Sequence, residues 1–130
     1  MPVLLDTTVL IDVLRGRPIT IERLRGLRRQ PGVPCTTAIN VEEIHRGLRS
    51  DETTAADHLF DGLKIVEINR AHGELAGRWR RDHAAAGVTL AQADCLIAAA
   101  AVALGIPLAT GNPRHFPLPE LEVQHWSVGE

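Results

Sequence analysis

Tyrosine is absent, and two tryptophans and two phenylalanines complete the aromatic set of 130 residues. A nucleic-acid platform built from successive stacking rings therefore has little to work with. Trp79 and Trp126 could stack bases, but with so few aromatics both are expected in the core or at a dimer contact. Cysteine is nearly as scarce. Cys35 and Cys95 allow at most one disulfide, form no metal ribbon or redox pair, and sit in apolar stretches, so both are expected as small buried hydrophobes. The six histidines show no HExxH and no Cys/His pairing at ligand spacing, which points away from zinc and towards solvated surface for most of them. Also missing are an apolar run of about 18 residues and a basic segment leading into an apolar one at the N-terminus, so a cytoplasmic protein without a membrane role is expected. No repeat or low-complexity tract appears.

With 45% hydrophobic and 23% charged residues, the composition is that of a globular chain, and 130 residues suit a single domain, 1–130. The net charge of −2 argues against a strongly basic nucleic-acid binder. Its distribution says more. Thirteen of the fourteen basic residues are arginine, the side chain that grips phosphate bidentately. Six of them, Arg15, Arg17, Arg23, Arg25, Arg28 and Arg29, stand against the single acid Glu22, and Arg78, Arg80 and Arg81 form a second group. A solvated helix face accounts for the first cluster about as well as contact with RNA or a partner.

Read by hydrophobic period, the segments alternate. A strand over 2–5 precedes a helix over 7–14. A second helix opens at Pro18 and runs to about Arg29, where Pro31-Gly32 stops it. A strand is expected at 33–36, helices at 38–49 and 52–61, and a strand at 63–67. Asn69 is placed to cap a long helix reaching Ala86, with Gly87 after it. Residues 89–104 read as helix, 108–110 as a strand, 111–113 as a turn, and 121–126 as an edge strand. Short strands joined by helical crossovers predict an α/β class fold, a three-layer α/β/α sandwich around a short parallel sheet. Such sheets bind ligands beyond the carboxyl ends of their strands, where Asp6 and Asn112 fall.

Asp6 follows the apolar run Val3-Leu4-Leu5, so it is either the N-cap of the next helix or a site acid. In TLAQADCLIAAAAVALG, 89–105, Thr89 and Gln92 have capping-box spacing, which starts the helix at Leu90 and puts Asp94 inside it. The helix is otherwise apolar all round from there to Leu104, and its carboxylate needs a compensating partner, either an arginine or a metal. In TTAINVEEIHRGL, 36–48, Asn40 and Glu43 have the spacing of a capping pair, while Glu43 borders the stripe of Ala38, Val41, Ile44 and Leu48. Helical side chains lean towards the N-terminus, which directs Glu43 to the edge where Asp6 and Asp94 are expected. Three carboxylates at one spot repel unless a cation lies among them, and an all-oxygen set suits Mg²⁺ or Mn²⁺. A metal of that kind activates water for attack on a phosphodiester, the chemistry of a nuclease.

These residues resemble the PIN-domain ribonucleases, in particular VapC-type toxins of bacterial toxin–antitoxin pairs. LLDTTVLID carries the first family acid as Asp6, EIHRG the second as Glu43, ADCLIAAAA the third as Asp94, and LATGNPRHF places Asn112 at the fourth position. The four follow in order at intervals of 37, 51 and 18 residues, which is far more specific than any one of them. The resemblance implies a compact α/β/α sandwich, Mg²⁺-dependent endoribonuclease activity, a homodimer, and a cognate antitoxin that blocks the site. It implies metal-site roles for Asp6, Glu43 and Asp94, and ordering of water or the metal's hydration shell by Thr110 and Asn112. Asn112 offers a neutral carbonyl, a weaker ligand than a carboxylate, which argues against a full second metal site. Arg114 and His115 flank the pocket in sequence and could touch phosphate, with a rim role without catalysis expected for both. The rival from another class is a non-catalytic RNA- or antitoxin-binding module, against which retention of all three acids counts. A haloacid-dehalogenase-like phosphatase ranks last, because Thr8 stands where that chemistry wants a second Asp.

Overall fold

Leu4 and Leu5, both with no exposure, sit in two different apolar clusters, since neighbouring side chains on a strand face opposite ways. That two-sided burial marks the centre of a parallel sheet. The computed structural model of the protein describes residues 2–129. Its strands are β1 (Leu4–Leu5), β2 (Cys35–Thr37), β3 (Lys64–Val66), β4 (Leu108–Thr110) and β5 (Val123–His125). They form one sheet in the order β3-β2-β1-β4-β5, and every pairing is parallel.

The helices are α1 (Thr7–Leu14), α2 (Pro18–Arg28), α3 (Ala38–Gly47), α4 (Thr53–Asp61), α5 (Arg70–Ala85) and α6 (Gln92–Leu104). One sheet face is covered by Val9 and Leu10 of α1, Leu24 of α2, Ile44 of α3, and Ala56 and Leu59 of α4. The other is covered by Ala76 and Trp79 of α5 and by Cys95 and Ile97–Ala101 of α6. The run Ala98–Ala101 has no exposure at all, and its small side chains let α6 pack closely against α5. The α/β/α sandwich read from the sequence is therefore present. Trp79 and Trp126 are buried in the two clusters as core residues. No helix of the described residues is long and apolar enough to cross a membrane.

Two local expectations change. Residues 89–91 do not join α6: Ala91 is its N-cap without a side-chain bond, so Asp94 lies in the first turn, not the interior. The cause is tertiary, because Arg80 Nε of α5 donates to the Leu90 carbonyl at 3.0 Å and holds that residue out of the helix. The Asn40–Glu43 capping pair is replaced by a box between Thr37 and Asn40, which starts α3 directly from the end of β2. Among the histidines, His72 is buried and closes the corresponding box with Asn69 at the start of α5.

Candidate functional site

The three central strands β2, β1 and β4 end side by side, and their carboxyl ends supply Thr37, Asp6 and Thr110. Asp6 occupies the N-cap position of α1, yet its side chain makes no cap bond. Its backbone carbonyl accepts from Val9 and Leu10, which starts the helix and leaves the carboxylate for another purpose. Although Asp6 is buried, its Oδ2 accepts from Thr110 Oγ1 at 2.7 Å and, more weakly, from Thr8 Oγ1 at 3.4 Å. A bond this short to a carboxylate aims the acid firmly. Thr110 is fully buried, and its hydroxyl also accepts the backbone N–H of Asn112 at 3.0 Å. Thr8 accepts the Gly111 N–H at 2.8 Å, so α1 and the turn after β4 are tied together beside Asp6.

Glu43 reaches the same edge from α3. Its Oε1 accepts from Thr7 Oγ1 at 2.8 Å, and Thr7 in turn accepts from Asn40 Nδ2 at 3.0 Å. Arg46, one turn on, is 4.0 Å from Oε2 of Glu43 and holds Glu42 more closely, at 2.8 Å. Asp94 enters from the N-terminal turn of α6, where the helix end favours a negative charge. Its partner is a histidine and not an arginine: His115 Nδ1 lies 3.6 Å from Oδ2. Burial pushes the Asp94 carboxyl above the usual aspartate range, the negative charges of Asp6 and then Glu43 push it further, and His115 opposes them. The three acids predicted to converge thus share one electrostatic field.

Among the described residues, no three His, Cys, Asp or Glu side chains stand close enough together to grip a metal ion. The donor chemistry fits a hard divalent cation nevertheless. All three acids offer oxygen, and a positive charge among them would relieve the repulsion that Asp94 feels from Asp6 and Glu43. Asn112 and Arg114 are exposed on the loop after β4, at the rim of this edge. Of arginines 15–29, Arg25 and Arg29 pair with Glu22 on the solvent side of α2 and Arg17 and Arg28 are exposed, whereas the exposed Arg15 lines a cavity together with Glu43.

Residues 3–119 match the PIN domain family. The chain belongs to that family. Ribonuclease VapC19 of Mycobacterium tuberculosis is 33% identical over 124 residues, 92% of this chain and 96% of the relative. Ribonuclease VapC2 of Haemophilus influenzae is 26% identical over 129 residues, 95% of this chain and 96% of the relative. In solved structures the same PIN fold appears in VapBC2 from Rickettsia felis bound to a promoter DNA fragment, with TM-score 0.84, 19% identity, and 98% and 100% of the two chains covered. It also appears in DNA-bound VapBC from Salmonella typhimurium, with TM-score 0.84, 21% identity, and 97% and 98% covered.

The sequence reading of this PIN domain overlooked Thr7, Thr8 and Asn40 as supports of the acids. One signal was available: Thr37 and Asn40 have capping-box spacing at a strand end, and Thr7-Thr8 follow Asp6 at the next strand end. Polar residues at adjacent carboxyl ends meet whenever the strands are neighbours.

Proposed function

We propose that this chain is the ribonuclease toxin of a toxin–antitoxin pair, one nuclease domain over residues 1–130 that hydrolyses RNA phosphodiester bonds with Mg²⁺ or Mn²⁺. The observation that carries the reading is the supply of Asp6, Glu43 and Asp94 to one strand-end edge, where Thr110 aims Asp6, Thr7 aims Glu43, and Asp94 in the first turn of α6 feels the charge of both. Family membership and relatives named as VapC ribonucleases support the activity. Structural neighbours that are VapBC assemblies support an antitoxin partner; that this partner blocks the site and that the working form is a homodimer are parts of the proposal.

In this reading Asp6, Glu43 and Asp94 hold the ion. Bound there, a divalent cation supplies a water of lowered pKa and counter-charge for the phosphoryl oxygens. Thr110 keeps Asp6 aimed at the rim, and Thr7 does the same for Glu43. Asn112 offers its side-chain carbonyl to a hydrating water, while Arg114 meets the RNA phosphate from the exposed loop. Replacing Asp94→Asn is the test. The variant should lose Mg²⁺-dependent RNA cleavage and growth inhibition while its circular dichroism stays that of a folded chain; undiminished cleavage refutes the mechanism. Absence of any Mg²⁺ or Mn²⁺ binding by calorimetry would favour a non-catalytic binding module instead.

A further inference from the structure

Asn40 lies two hydrogen bonds away from Glu43 and is fully buried, and the direction of every bond between them is fixed. The backbone N–H of Thr37 can only donate, and it donates to Asn40 Oδ1 at 3.1 Å. Thr37 Oγ1 already accepts from Ile39 N and Asn40 N, and it spends its proton on the same Oδ1 at 2.7 Å. The amide of Asn40 therefore cannot be flipped, and Nδ2 must face Thr7. Having accepted that N–H, the Thr7 hydroxyl turns its single proton to Glu43 Oε1 at 2.8 Å. Each donor points the same way, from the end of β2 across α1 to the carboxylate on α3.

We infer that Asn40 is a positioning residue for the metal-site acid Glu43, acting through Thr7 by a one-way relay of hydrogen bonds that begins in the backbone of β2. The inference rests on the proposed metal-dependent reading of the site. The relay explains why a helix cap and a site acid share a helix face three residues apart: the box that starts α3 also sets the proton direction that orients Glu43. Partners of this kind behind a ligand typically change metal affinity 10–100-fold when altered.

The test is Mn²⁺ binding by calorimetry on the full chain, with circular dichroism confirming the fold of each variant. Asn40→Asp keeps the acceptor for Thr37 but no longer donates to Thr7, which then gives its proton to residue 40 and not to Glu43. An added negative charge would by Coulomb attraction alone tighten cation binding, so the sign of the change discriminates. The relay predicts weakening by about tenfold in Asn40→Asp and in the uncharged Asn40→Ala. Thr7→Val should weaken binding similarly, Thr7→Ser should recover what Thr7→Val loses, and Asn40→Ala combined with Thr7→Val should be no weaker than Thr7→Val alone. Unchanged or tighter binding in both Asn40 variants, or fully additive losses in the double variant, overturns the relay while leaving the metal site standing. A wild-type chain that binds no Mn²⁺ overturns the metal reading and the relay with it.

Discussion

Replacing Thr110 by valine exchanges a hydroxyl for a methyl of nearly the same shape at a fully buried position. On hydrophobicity alone the change should be neutral or stabilising, because a buried polar group becomes apolar. The structure predicts the reverse. Thr110 Oγ1 donates to the Asp6 carboxylate at 2.7 Å, and a bond to a charged group contributes about 1.5–3 kcal/mol. Thr8, at 3.4 Å, is too distant to take over fully, while the Asn112 N–H released by the change faces an exposed loop and can turn to water. The loss should therefore be about 1.5–3 kcal/mol, roughly 6–12 °C in Tm for a chain of this size. Thr110→Ser keeps the hydroxyl and removes only a methyl, which costs about 1 kcal/mol. The expected order is wild type, then serine, then valine, measured by urea unfolding with a chelator present and equal m-values. A valine variant as stable as the wild type, or more so, would show that the bond to Asp6 does not hold this edge together.

Two further outcomes follow from the same edge. Because the folded Asp94 carboxyl is raised above its ordinary value, chiefly by burial and then by Asp6 and Glu43, the native chain holds that proton to higher pH than the unfolded chain. Stability of the metal-free protein should then fall as pH rises from the ordinary aspartate range through the raised value, and stay lowered above it. Asp94→Asn should remove that fall, giving a higher Tm than wild type in chelator at neutral pH; equal pH profiles would contradict it. A β-carbon at Gly111 would run into Val128 Cγ2 and press on Thr8 Oγ1 and the Trp126 carbonyl, each at 3.3 Å. Gly111→Ala should cost about 1–3 kcal/mol in the urea midpoint, and adding Val128→Ala should restore part of it but not the pressure on Thr8.

How much of this was legible beforehand depended on the range of the deciding contact. Strand ends and helix order follow from local period, and all six helices and five strands lie near their expected places. The start of α6 does not follow, because Thr89 and Gln92 have the right local spacing and lose to a bond from Arg80 on another helix. Asp6 is a good N-cap by residue type, and only Thr110, 104 positions away, reveals that its carboxylate is turned elsewhere. The support of Glu43 was hidden for the same reason, since Asn40 and Thr7 are 33 positions apart in sequence. His115 was read as rim, and its approach to Asp94 depends on the path of the loop after β4.

The strand order β3-β2-β1-β4-β5 has a consequence for the birth of the molecule. The first acid takes its shortest hydrogen bond from a hydroxyl on β4, 104 positions away, so until that strand has been synthesised and has docked Asp6 has only the weaker contact with Thr8. The strand-end arrangement thus belongs to the assembled sheet, and no shorter stretch that lacks β4 can reproduce it.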